Sequence, residues 1–82
     1  MAAVRSNVDA FLKQNCLLAK NARYATYQLY LGYVRWCLHY AVPIQDQFVF
    51  VERLEAAGCT IEDATDDRVE TFNGVSLLPR FR

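Results

Sequence analysis

An α+β fold, three helices followed by a β-hairpin, is predicted by three observations on this chain. Between Asn7 and Ala57 apolar residues recur in three separate runs at helical spacing. Beyond Gly58 they alternate with polar residues instead. Pro43 and Gly58 punctuate the change-overs, one closing a helix and the other ending the helical half. The length of 82 residues suits one domain, close to the smallest that fold without staples. A hydrophobic fraction of 54% and an aromatic content of 13% argue for a packed globule and against disorder.

The first helix is expected from about Asn7 to Asn15, with Val8, Phe11, Leu12 and Cys16 at helical spacing. Ser6 stands as its N-cap and Asp9 places an acid in its first turn. Leu17 to Ala25 lacks a clean period and reads as a loop, ending in a short extended piece at Arg23-Tyr24-Ala25. The second helix, Thr26 to Tyr40, is the strongest signal. Thr26 is the expected N-cap, and Leu29, Tyr33, Trp36, Cys37 and Tyr40 stack on one face. Tyr27, Leu31, Val34 and Leu38 form a second apolar stripe opposite. A helix apolar nearly all round is covered on both sides, so this stripe is expected to meet the Leu17–Ala22 loop, the tail near Phe81, or a partner.

Asp46 to Ala57 is the third helix, with Gln47, Phe50, Val51, Leu54 and Ala57 inward and Gln45, Phe48, Val49, Glu52 and Ala56 outward. Gly58 follows as the left-handed terminator. Cys59 to Glu62 and Arg68 to Phe72 form the hairpin, with Ala64 to Asp67 as its polar tip. Asn73-Gly74 signals another turn, and Val75 to Leu78 a last short strand. Three helices and a hairpin in this order are the layout of a winged helix-turn-helix, the hairpin being the wing. Residues 1–82 are therefore expected to be a single winged-helix domain, with 7–78 as its core and 79–82 as a loose tail. The expected core contains Phe11, Leu29, Tyr33, Trp36, Phe50, Leu54 and Ile61.

No apolar run reaches the length of a membrane span, and the N-terminus does not read as a signal peptide. Cys16, Cys37 and Cys59 lack metal-site or redox spacing and read as reduced core thiols, which points to a cytoplasmic, intracellular location. Net charge is zero but divided: residues 1–41 hold five basic side chains against Asp9, residues 42–82 four against eight acids. His39 reads as a helix-end residue, and Glu62, Asp63, Asp66 and Asp67 as a solvated hairpin tip without calcium-binding spacing. Neither a nucleophile–histidine arrangement nor a glycine-rich phosphate loop can be drawn, so the expectation is a non-enzyme with no cofactor, metal or small-molecule substrate.

The chain resembles the C-terminal winged-helix domain of the primase–helicases of phages, plasmids and large DNA viruses. The resemblance rests on Val8-Asp9-Ala10-Phe11-Leu12 with Cys16, on Leu29-Tyr30 with Tyr33, Trp36 and Cys37, on Pro43, and on Phe50, Leu54 and Gly58. It ends at Gly74-Val75 and Leu77, and so spans about residues 7 to 78. It implies a non-catalytic DNA-binding module of a replication protein. Arg23, Arg35, Arg53 and Arg68 would then contact phosphates, while Gln45 and Gln47 probe base edges of duplex or forked DNA. The chain departs from this pattern at Leu31, Val34 and Leu38 on the second helix, where family members carry charge, and at Gln45, Asp46 and Gln47 near the start of the third, where they carry Ser, Arg or Lys. A second expectation follows from those departures. On the same fold, Tyr27, Leu31, Val34, Leu38, Phe48 and Val49 would form a protein interface, toward a helicase domain, a second copy or a nucleic-acid enzyme that a free-standing phage protein inhibits.

Overall fold

A computed structural model describes residues 7–78. The fold is α+β, with three helices and a small antiparallel sheet of three strands, in the order α1 (Asn7–Asn15), β1 (Cys16–Ala25), α2 (Thr26–Tyr40), α3 (Gln47–Ala56), β2 (Thr60–Glu62), β3 (Thr71–Leu77). The sheet order is β1-β3-β2, which puts the chain's last strand in the middle. The expected Ser6 cap and the 79–82 tail lie outside the described residues.

The segment expected as a loop with an extended end at Arg23-Tyr24-Ala25 is extended throughout, as the strand β1. It escaped the period-two test because it pairs with β3 only at its ends: Cys16 to Leu18 lie opposite Leu77 to Val75, and Arg23 to Ala25 opposite Asn73 to Thr71. Residues 19–22 bulge out against Gly74 alone, so the side chains never alternate cleanly. The same irregularity corrects the expected turn at Asn73-Gly74. Gly74 sits inside β3 with a φ of 96°. A Cβ there would meet Cys59 only at ordinary contact distance, so its backbone conformation is what requires glycine. The bulge also resets the pleat: Phe72 and Val75, three apart, are both buried, and the run expected over Arg68 to Phe72 is strand only from Thr71 and continues to Leu77.

The helix termini show how the connections are fixed. Asp46 caps α3 rather than beginning it, its carboxylate accepting the Val49 N–H at 3.0 Å. At the other end the Cys59 N–H reaches the Leu54 carbonyl and the Gly58 N–H that of Glu55, with Gly58 left-handed at φ 100°. Helix α2 ends in the same way, Val42 donating to Cys37 and Ala41 to Leu38, but there an alanine takes φ 54°. Thr26 is not the cap of α2. Ala25 precedes the helix without a side-chain cap, and Thr26 donates its hydroxyl to the Glu70 carboxylate at 2.9 Å and its N–H to the Glu70 carbonyl at 3.0 Å.

The core lies between the three helices and one face of the sheet. Phe11 is fully buried at its centre, with ring centroids 5.6 Å from Tyr33, 5.8 Å from Trp36 and 6.4 Å from Phe50. Edge and tilted packings of this kind add about 0.5–1.5 kcal/mol per pair beyond the area they bury. Phe50 continues the stack to Phe72 of β3 at 6.1 Å, joining the helices to the sheet. Leu29 and Leu54 are buried as expected, whereas Ile61 is only half-buried and Tyr40 is half exposed, packing over Trp36 at 5.5 Å. All three cysteines are free and buried. Burial pushes the Cys16 thiol up to about 12, with Cys59 nearby adding to the shift.

Candidate interaction surface

The α2–α3 connection is held by two tyrosines of α2. The Tyr33 hydroxyl donates to Asn7 Oδ1 at 2.6 Å and accepts the Gln45 N–H at 2.9 Å. The Tyr30 hydroxyl donates to the Gln45 carbonyl at 2.8 Å. The Asn7 side-chain amide donates to the Pro43 carbonyl. Burial raises the ionisation of both phenols, Tyr33 to about 12, so these are protonated donors at any ordinary pH. Gln45 thus serves the fold through its backbone, and Gln47 stands exposed on the first turn of α3.

Three of the four arginines expected to meet phosphates are engaged with acids. Arg53 forms a two-pronged pair with Asp9 of α1, Nε to Oδ1 at 2.9 Å and Nη2 to Oδ2 at 2.7 Å, which raises its ionisation further. Arg23 meets Glu62 at 2.5 Å and donates from Nε to Asn73 Oδ1 at 3.1 Å, and Arg68 approaches the other oxygen of the same carboxylate at 3.8 Å. The sheet explains this gathering, because Arg23 is in register with Asn73, which is in register with Thr60 of the edge strand that ends at Glu62. Arg35 stands apart, exposed on α2, with no ion pair among the described residues.

The residues expected to form a protein interface divide by exposure. Tyr27, Leu31 and Leu38 of α2 are 55%, 43% and 68% exposed, while Val34 is half-buried against the core. Strand β1 runs where the covering loop was expected, and these three side chains remain open. Phe48 of α3 is 83% exposed, with Val49 half-buried beside it. Tyr27 and Phe48 both border a cleft of ≈ 440 Å³ between the start of α2, the outer side of α3 and the sheet. Its apolar walls include Tyr30, Val51 and Ile61, all half-buried. Its charged members among the described residues are Glu52, Glu55 and Glu70, and no basic one of them lines it. Phe48, Glu52 and Glu55 stand on one side of α3 at spacings of four and three, a pattern visible in the sequence. Glu70, by contrast, joins them through tertiary pairing with Thr26, for which no local signal exists.

Among the described residues there is no group of three side chains that could hold a metal ion, and no helix long and apolar enough to cross a membrane. No family model, curated protein or solved structure matches this chain.

Proposed function

We propose that this chain is a protein-interaction module on a winged helix-turn-helix, without catalysis of its own. The fold reading is supported by the element order and by the sheet order β1-β3-β2, with α2 and α3 as the helix-turn-helix and β2–β3 as the wing. The functional reading is carried by the outer side of α3, the helix that such folds lay in a major groove. It offers Phe48 at 83% exposure beside Glu52 and Glu55, and carboxylates there repel a phosphate backbone. Exposed Tyr27, Leu31 and Leu38 carry the apolar surface on along α2. Side chains of this size each forgo up to about 1.5–3 kcal/mol when left in water, a cost that a partner surface would relieve.

Nucleic-acid binding in phage or plasmid replication, which the family resemblance implies, is the second reading. One observation favours it: Arg35 has no ion pair among the described residues, and the exposed pairs of Arg23 and Arg68 with Glu62 are each worth only about 0–1 kcal/mol, little enough to be exchanged for phosphate. Fluorescence anisotropy with a labelled mixed-sequence duplex at about 50 mM salt separates the two. The protein-interaction reading expects no binding tighter than about 100 μM. Micromolar, salt-sensitive binding that weakens on Arg35→Glu would overturn it.

A further inference from the structure

We infer that the cleft beside α3 receives a basic segment of a partner protein, one bulky apolar side chain flanked by arginines or lysines. The assignment rests on the protein-interaction reading and names its partner. The walls, the charges, the mouth and the size of the cleft together select this chemistry. The walls formed by Tyr30, Val51 and Ile61 are apolar and only half covered, so an apolar anchor gains by entering between them. Glu52, Glu55 and Glu70 border that slot with no lining cation among the described residues to neutralise them, and the arginine of α3, Arg53, is turned away onto Asp9. Glu70 is held in place by the Thr26 hydroxyl, and Glu52 and Glu55 stand exposed along α3 beside it. Exposed aromatic faces at Tyr27 and Phe48 stand at the mouth, where a guanidinium could stack while its neighbours meet the carboxylates. A volume of ≈ 440 Å³ suits one large side chain with its backbone. An acidic peptide or a phosphate chain would meet the same charges as repulsion.

The test uses the full chain and a fluorescein-labelled synthetic peptide with one phenylalanine between pairs of arginines. Saturable binding is expected, weakening as salt is raised. Replacing the peptide's phenylalanine with serine should abolish it, which tests the apolar slot without touching the protein's fold. Glu52→Gln with Glu55→Gln, both exposed positions, should weaken it about five- to tenfold. The proposal is overturned if the peptide does not bind, or if it binds with the same affinity to the double variant. It is overturned too if the chain self-associates in sedimentation and Phe81→Ser abolishes this, since Arg80-Phe81-Arg82 of a second copy would then be the occupant. Failure with the peptide leaves the broader reading standing, because the duplex titration tests that independently.

Discussion

Replacing Tyr33 with phenylalanine removes one oxygen and tests the architecture that positions α3. The ring stays buried against Phe11 and Phe50, so burial is conserved. What is lost is the bond to Asn7 Oδ1 at 2.6 Å and the acceptor for the Gln45 N–H at 2.9 Å. A part-buried polar group left without its partner costs about 1–3 kcal/mol. Taking about 2 kcal/mol, the melting temperature of so small a domain should fall by about 8–16 °C. The alkaline limb supplies a second reading. Burial raises the Tyr33 phenol from 10.0 to about 12, so the phenol is protonated in both states below pH 10 and adds no pH dependence there. From there to about 12 the unfolded chain ionises first, and wild-type stability falls. Tyr33→Phe has no such proton, so the gap between the two proteins should be full at neutral pH and close through that window. Thermal melts by circular dichroism across pH measure both. Equal melting temperatures at neutral pH, or a gap that stays constant into the alkaline range, would refute the role given to this hydroxyl.

Trp36→Ala should cost about 3–5 kcal/mol and leave most of the chain unfolded, as read by circular dichroism. The indole N–H has no hydrogen-bond partner among the described residues, so the loss is one of packing. Ala41→Gly should stabilise by about 0.5–1 kcal/mol in denaturant melts, because it removes the left-handed strain at φ 54° that ends α2. Leu31→Glu with Leu38→Glu should leave the melting curve nearly unchanged, both positions being exposed, while abolishing any self-association seen in sedimentation. At neutral pH a disulfide reagent should label none of the three cysteines until denaturant is added, since burial raises every thiol's ionisation.

The helices were legible because each carries its own period, and most of their buried faces followed from it, Phe11, Leu29, Tyr33, Trp36, Phe50 and Leu54 among them, whereas Gln47 and Ala57, read as inward at the two ends of α3, are exposed. Strand β1 was legible only at its end, Arg23 to Ala25; the rest was not, since its pairing breaks across residues 19–22 and its sequence shows neither alternation nor flanking turn residues. Asn73-Gly74 misled for a related reason: the local signal for a turn was answered by the sheet, which uses the same left-handed glycine as a bulge. Tyr40 misled at the end of α2, where the helix has run past the core. On the surface, Phe48, Glu52 and the open stripe of α2 could be read from helical spacing alone. The pairing of Arg23 and Arg68 with Glu62 could not, because it depends on register between strands distant in sequence. Glu70 entered the cleft in the same way, through Thr26.

The central claim is that the outer side of α3 and the adjoining stripe of α2 receive protein rather than nucleic acid. A paired titration on one preparation tests it most directly, with the arginine–phenylalanine peptide and the mixed-sequence duplex each followed by anisotropy at about 50 mM salt. The peptide should saturate and the duplex should not, up to about 100 μM protein. Duplex binding in the micromolar range, lost on Arg35→Glu and undisturbed by excess peptide, would contradict it.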